Sequence, residues 1–294
     1  MARIDQVIPR GTQKRESLFD SKLFLQILQY GGLFAASVIF LFPFLWLLST
    51  ALKDLASATS VPPTLLPPVW HWENFRLATE KIPFWTQAFN TVVLCILNVI
   101  GTTISCALVA YGFSRIEWPG RDLFFWVTVS TMMIPGAILL VPLYGMYREL
   151  GWIGTALPLW VPSFTASAYN IFLLRQFFMG IPKEVTEAAE IDGFNQFQIF
   201  FYIILPLTKP ALTVVALFSF LYVWNDFMGP LIYLTDEREF TLALGLQAFQ
   251  SRLGGTEINL LMAAAALVIL PVMVLFLFAQ RSIIEGISMT GLKS

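Results

Sequence analysis

Glu184, Glu187 and Glu190 recur every three residues inside IPKEVTEAAEIDGFNQFQIFFYIILPLTKP, residues 181–210. This is the longest charge-bearing interruption in the second half of an apolar chain. On a helix that spacing gathers the carboxylates on one side. Carboxylates close to a helix N-terminus are favoured by the macrodipole and suit an arginine-bearing partner. Val185, Ala188, Ala189 and Asp192 fall on another face, where small residues let a partner approach the backbone closely. An ordinary loop helix with a solvated acidic side has the same composition, and these residues alone leave both readings open.

A second polar group, Trp224-Asn225-Asp226-Phe227, stands at the end of an apolar run and is followed by Pro230-Leu231. An acid and an amide there are expensive unless they face water or a partner. With an aromatic face beside them they offer the donors and acceptors that sugar recognition needs. The alternative is that Asn225 and Asp226 satisfy backbone freed by Pro230, or bind helix to helix. Other chemistries fail on residue type. His71 is the only histidine, and His71-Trp72-Glu73 lacks the second ligand of a helical zinc motif. A hydrolase would need a nucleophile–base pair or a metal pair, and one histidine makes both hard to build. Cys95 and Cys106 lie eleven positions apart on one predicted helix, roughly 16 Å, too far to bridge, and read as packing residues. Gly286…Gly291-Leu292-Lys293-Ser294 superficially resembles a phosphate loop, but Leu292 intervenes before the lysine and no strand precedes it. The chain therefore has no nucleotide site of its own.

The elements that must position these groups follow from composition. The 294 residues are 57% hydrophobic and 13% charged, with a mean hydropathy of +0.71. Soluble domains carry about 25% charged residues, so a bilayer is the natural solvent. The net charge of −1 gives no electrostatic case for nucleic acid. The basic N-terminal stretch lacks a compact apolar core with a cleavage site, so it does not read as a cleavable signal peptide. Ser17–Tyr30 has apolar residues at helical spacing and reads as an interfacial helix, or as the start of the first span. Six spans follow, approximately 31–52, 88–113, 123–146, 157–178, 211–233 and 260–280. With the N-terminus inside, twelve of the eighteen Lys and Arg fall on inner segments, which puts both termini and residues 181–210 in the cytoplasm. The expected organisation is an inner N-terminal segment (1–30), a six-span domain (31–280) and an inner tail (281–294).

Within this frame Pro182 suits a first helical turn, Lys183 to Asp192 favours helix, and Gly193 supplies a left-handed stop. Asn195 can cap a second helix that must end near Leu205, because Pro206 follows. Residues 53–83, with Pro62, Pro63, Pro67 and Pro68, read as an extended strap rather than a helix, with Trp70, Trp72 and Trp85 at headgroup level. Pro135, Pro142, Pro158 and Pro162 break spans three and four. Freed carbonyls are tolerated at membrane depth only against protein or a wet cavity, so these spans line a path or are simply kinked.

Glu187-Ala188-Ala189, three residues, Gly193, nine residues, then Ile203-x-Leu205-Pro206 resembles the E-A-A loop of bacterial ABC importer permeases. Asp192 before the glycine, the Leu65-Leu66-Pro67-Pro68…Asn74-Phe75 strap, residues 132–155 and Trp224-Asn225-Asp226-Phe227 are similar to the carbohydrate branch of the maltose and oligosaccharide type, and to its smaller permease. The resemblance covers nearly the whole chain. It implies an all-α polytopic membrane protein of the bacterial inner membrane, a permease subunit and not an enzyme. It further implies two ATP-binding cassette subunits carrying ATP and Mg²⁺, with no cofactor on this chain. A second, related permease, an extracytoplasmic solute-binding protein and a carbohydrate cargo complete the expected assembly. In that family the loop docks into a cleft of the ATPase. The residues it assigns to coupling are Glu184, Glu187, Ala188, Ala189, Asp192, Gly193, Leu205 and Pro206. Candidates for the translocation path are Trp224, Asn225, Asp226, Pro135 and Pro162. The competing readings are an ion-driven transporter, for which no internal repeat or mid-span charge is visible, and a membrane-embedded enzyme.

Overall fold

The computed structural model describes residues 13–250 and 256–291, with side chains described for 23–250 and 256–280. Arg3, Arg10, Arg252, Gly254, Gly255 and Lys293, and the side chains of Lys14, Arg15, Lys22 and Arg281, on which part of the sequence reading rests, lie outside the described residues.

Among the described residues every regular element is helical, and extended backbone pairs only at an isolated Gln250–Thr256 bridge. Four helices are long and apolar enough to cross a bilayer unaided, Leu23–Ala51, Phe84–Ser114, Leu157–Gly180 and Ile258–Gln280. Two bent pairs, Arg121–Met133 with Gly136–Glu149 at 98° and Gln196–Leu207 with Lys209–Trp224 at 79°, bring the candidate spans to six if each pair is one crossing. The apolar stretches of the sequence reappear as helices, but the fifth does not keep its expected bounds of 211–233: its helix runs from Lys209 to Trp224, and a gap at 225–227 precedes the next helix at Met228.

Helix α1 (Gln13–Ala51) runs without interruption from residue 17 to 51, so the segment read as interfacial and the first span form one rod. The strap departs from expectation at both ends, and at its start Leu55–Ala58 is a helical turn capped by Asp54. It is extended near its prolines, but α2 (Glu73–Lys81) forms after them, where no proline interrupts. Backbone carbonyls left open by the prolines are collected by side chains of the α1 end. Ser49 Oγ donates to Leu65 O and Lys53 Nζ to Thr64 O. Asn74 Nδ2 donates to both Ala51 O and Lys53 O at 2.8 Å.

Helix α3 (Phe84–Ser114) contains no proline and is unbroken over 31 residues. Helix α4 (Arg121–Ser130) tightens into a 3₁₀ turn at Thr131–Met133, and Pro135 opens α5 (Gly136–Glu149). The fourth crossing is a turn at Leu157–Trp160, a 3₁₀ segment at Val161–Thr165, and then α6 (Ala168–Gly180). Helix α7 (Lys183–Ile191) is the first arm of a hairpin. Its second arm begins at Gln196 and leads into α8 (Lys209–Trp224). A short α9 (Met228–Tyr233) and the final α10 (Ile258–Gly291) complete the chain.

The second arm differs from the expected stop at Leu205. Ile199–Ile204 is a π-helix, and Leu205–Leu207 carries the arm through Pro206 before Thr208 ends it. The wider π register lets Leu205 N bond Phe200 O. Pro206 then sits in a first turn, where its missing N–H would have had no partner anyway.

Two cores lie toward opposite ends of α3. At its C-terminal end Tyr111 and Phe113 join Phe178, Ala189, Ile199, Phe200 and Ile204. Toward its N-terminal end Phe84, Leu94 and Cys95 join Ala51, Ala78, Trp224, Phe249 and Ala263. Lipid tails are as apolar as leucine, so close packing and polar links between helices must hold the bundle. Asn98 Nδ2 donates to Leu159 O at 3.0 Å and Ser105 Oγ to Ser163 O at 3.2 Å. Gly101 makes that approach possible, since a methyl group there would collide with Ser163 and Phe164. Both cysteines are free and buried.

Candidate functional site

The hairpin at 182–207 is built by local rules. Pro182, extended at ψ 140°, starts α7 and leaves Glu184 in its first turn. Gly193 has φ +87°. Its N–H bonds Glu190 O at 3.0 Å, and Phe194 N–H bonds Ala189 O at 2.9 Å. These two bonds form the double closure that a left-handed glycine permits at a helix end. No atom lies within 4 Å of a Cβ placed at Gly193, so conformation alone selects glycine within this chain. Asn195 then caps the second arm reciprocally. Its Oδ1 accepts Gln198 N–H at 2.9 Å, and Gln198 Oε1 accepts Asn195 N–H at 2.8 Å.

The Glu-Ala-Ala triplet is divided between two environments. Ala189 is buried among Tyr111, Phe178 and Phe200, whereas Ala188 is exposed. The small-residue face expected from Val185, Ala188, Ala189 and Asp192 therefore faces outward except at Ala189. The helix is rotated so that Ala189 seats it on the bundle. Glu184 and Glu187 are exposed and have no ion pair or hydrogen bond from their side chains among the described residues. Glu190 Oε1 accepts from Gln196 Nε2 at 2.7 Å. Around the carboxylates Ile191 and Phe197 expose most of their surface, and Val185 and Phe194 more than a third. Asp192 and Gly193 are exposed at the tip. Leu205 is half-buried and Pro206 exposed where the second arm rejoins the bundle.

Residues that the sequence did not single out hold the hairpin. Arg115, at the end of α3, donates to Phe178 O and, at 2.6 Å, to Ile181 O, the carbonyl preceding Pro182. One turn earlier Tyr111 Oη donates to Gln196 Oε1 at 2.7 Å. Arg175 stacks its guanidinium 4.0 Å from the Phe125 ring centroid and donates to Phe113 O at 3.2 Å. The only available signal was Tyr111 and Arg115 at i, i+4 on the last turn of an apolar helix, a spacing that puts both on one face.

The path candidates do not form one surface. Trp224 is 3% exposed and stacks on Phe220 at 5.2 Å, so its indole faces the core rather than an open path. Asn225 is exposed and donates to Leu221 O at 2.8 Å. Asp226 is half-buried, and its Oδ1 accepts Gly229 N–H at 3.0 Å. The acid thus supports the backbone across the gap between α8 and α9, through an N–H that Pro230 does not free. Tyr222 is 76% exposed one turn before Asp226. Pro135 is exposed at the 98° bend, and half-buried Pro162 lies in the 3₁₀ segment, its carbonyl accepting from Thr165 Oγ1 at 2.7 Å. Ala166 follows at φ +65° and ψ 158°, a non-glycine residue in a region that glycine prefers. The fourth crossing is therefore discontinuous at a point that composition does not mark.

Comparison with known proteins agrees with this architecture. Residues 100–288 match the family described as the binding-protein-dependent transport system inner membrane component. The chain is 34% identical over 222 residues to the arabinooligosaccharides transport system permease protein AraQ of Halalkalibacterium halodurans, covering 75% of this chain and 79% of the relative. It is 31% identical over 255 residues to the diacetylchitobiose uptake system permease protein NgcG of Streptomyces coelicolor, covering 86% and 84%. It is also 31% identical over 281 residues to the sn-glycerol-3-phosphate transport system permease protein UgpE of Shigella flexneri, covering 92% and 98%. Among solved structures, a chain of a bacterial ABC transporter that imports the acidic polysaccharide alginate superposes with a TM-score of 0.78 at 22% identity, over 94% of this chain and 99% of that one.

Proposed function

Because the chain belongs to the family of binding-protein-dependent transport system inner membrane components, we propose that it is a permease subunit of an ABC importer for a carbohydrate, an oligosaccharide or a sugar derivative. It performs no chemistry itself. ATP and Mg²⁺ belong to separate cassette subunits, and this chain converts their closure into alternating access.

One observation carries the coupling reading. The hairpin holds Glu184, Glu187, Ala188, Asp192 and Gly193 on its exposed side while Ala189 fastens it to the bundle. Two unengaged carboxylates beside exposed Val185, Ile191, Phe194 and Phe197 fit a cleft with apolar walls and a basic residue. ATP does work on the spans only if the hairpin makes different contacts with the nucleotide-bound and nucleotide-free partner. One hairpin per chain and two cassettes per importer call for a second, related permease.

The cargo class rests on relatives whose names specify arabinooligosaccharides, diacetylchitobiose and sn-glycerol-3-phosphate. A superposing structure, at a TM-score of 0.60, is of an alginate transporter with its pentasaccharide-bound periplasmic protein. That supports a solute-binding protein as the delivering partner. The Trp-Asn-Asp-Phe segment is the feature of the maltose-type branch. In this reading Asn225, Asp226, Pro135 and Pro162 border the path, with Trp224 as packing behind it. The excess of Lys and Arg on one set of segments supports cytoplasmic termini and a cytoplasmic hairpin in the bacterial inner membrane.

Co-purification from native membranes tests the assembly. Two cassette subunits, one different permease and a binding protein are expected, and two copies of this chain without another permease would contradict it. An uptake screen with pentose and hexosamine oligosaccharides and glycerol phosphate then names the cargo. A reporter fused after Lys183 should be active only as a cytoplasmic type.

A further inference from the structure

Helix α3 is gripped at both ends by bonds from its side chains to segments that the chain places at opposite faces of the bundle. At its C-terminal end Tyr111 reaches Gln196, and Gln196 reaches Glu190, while Arg115 reaches Ile181. Both arms of the hairpin and its entry are therefore tied to one turn of α3. At its N-terminal end Asn90 Nδ2 donates to Arg238 O at 2.7 Å and to Phe240 O at 3.2 Å. Thr91 Oγ1 accepts Leu242 N–H at 2.9 Å, and its own proton goes to Gln87 O at 2.7 Å. Gly245 lies so close to Gln87 that a Cβ there would overlap the amide. The loop at 236–250, between α9 and α10, is thus fastened to α3 by three hydrogen bonds and one close approach.

Twenty residues of helix separate Thr91 from Tyr111, about 30 Å at 1.5 Å per residue. That matches the roughly 30 Å hydrocarbon thickness of a bilayer. The other routes from the hairpin are interrupted. Toward α8 the chain bends by 79°. In the fourth crossing the helix is broken at Ala166. A displacement entering α6 or α8 can be absorbed at those breaks, whereas α3 has neither proline nor gap in which to absorb it.

We infer that α3 is the strut that carries movement of the hairpin to the 236–250 loop on the far side of the membrane, with Tyr111, Arg115, Asn90 and Thr91 as its positioning residues. The inference rests on the permease reading for the source of the movement, and on this chain's own geometry for the route. It makes the far loop a reporter of the cassette state, so that a solute-binding protein docked on that side and the ATPase on the other are linked through one helix. By linkage the effect runs both ways.

The test uses the complete importer in lipid, with cassette subunits and binding protein present. Tyr111→Phe keeps the ring packed against Phe200 and removes only the hydroxyl, and Asn90→Ala removes the far grip. Tyr111→Phe, which removes one hydrogen bond, should lower the ratio of binding-protein-stimulated to basal ATPase activity by about 2- to 10-fold, and Asn90→Ala, which removes two, by at least as much. The double variant should lose no more than the more impaired single, because both interrupt one route. Additive losses, or no loss in either single variant, would overturn the strut. Hydrogen exchange separates this outcome from failure of the permease reading, since it needs no ATPase. In the membrane-inserted chain Tyr111→Phe should speed exchange of the Leu242 and Gly245 amides at the opposite end, and unchanged exchange there would equally overturn the inference.

Discussion

Arg115 places its guanidinium 2.6 Å from the carbonyl oxygen of Ile181, one residue before the hairpin begins, and also donates to Phe178 O. Phe178 O also accepts the Ile181 N–H at 3.2 Å, so the cation from a neighbouring helix adds a second donor there and supplies one to Ile181 O, past the helix end. Replacing Arg115 with Gln should weaken the hold on Ile181 O and cost on the order of 2 kcal/mol. Thermal unfolding of the purified chain in detergent measures this. Equal melting of Arg115→Gln and the parent would show that the contact does not hold the junction.

Gly193 separates conformation from docking. Its φ of +87° is costly for residues with a Cβ, yet among the described residues no atom obstructs one. Gly193→Asn should therefore keep most of the hairpin's stability, and Gly193→Val should lose about 1–2 kcal/mol. Gly193→Asp, which brings a second carboxylate to the tip beside Asp192, should abolish uptake while the chain remains in the membrane. Uptake at parental rates in Gly193→Asp would remove the close-approach role of this glycine.

The two alanines give opposite results. Ala189→Leu adds volume to a filled site beneath α7 and should cost about 1–3 kcal/mol in stability. Ala188→Lys points away from the bundle and should melt as the parent does, yet stop transport. If both variants failed only in stability, the exposed face of α7 would have no role in docking.

Ala166 is strained where the fourth crossing breaks. Substitution by Gly should raise stability by about 1–3 kcal/mol by removing the penalty of its φ. Ala166→Val should lower it and favour a straighter crossing. Melting temperatures decide this directly, and a Gly variant less stable than the parent would count against the strain.

Just before α2, His71 Nδ1 lies 2.7 Å from Glu73 Oε1, at the helix start. The bond from His71 is the main cause holding the Glu73 carboxyl below its ordinary 4.5. A carboxyl depressed on folding stabilises above its unfolded value, and the contribution is lost as pH falls through the folded one. His71→Ala should return the Glu73 titration toward 4.5, read by carboxylate NMR or infrared spectroscopy. An unmoved titration would break the assignment.

The hairpin's local grammar was legible in the sequence because each signal acts within a few residues. Pro182, Gly193 and Asn195 start, stop and restart helices by backbone conformation and a single side-chain bond, and all three do so in the structure. The apolar stretches were equally legible, since twenty apolar residues demand a bilayer whatever surrounds them. The passage through Pro206 was not. A π turn depends on what packs around Ile199 and Ile204, and those contacts come from distant helices. Nor could helical periodicity assign Ala189 to the core and Ala188 to the surface. The two are 100° apart, and the rotation of α7 is fixed by Tyr111 and Phe178.

By itself the sequence determined that this chain is a helical membrane protein with one charged hairpin and no catalytic constellation, because composition and short-range backbone preference are properties of residues and their neighbours. Tertiary structure alone decided that Trp224 is core, that Asp226 holds backbone across a gap, and that α3 joins the hairpin to the 236–250 loop. Each of these depends on atoms brought together across tens to more than a hundred residues, and the bond from Asn90 to Arg238 spans 148. No local pattern encodes which carbonyl a side chain will find at that range, because the partner is chosen by how whole helices pack.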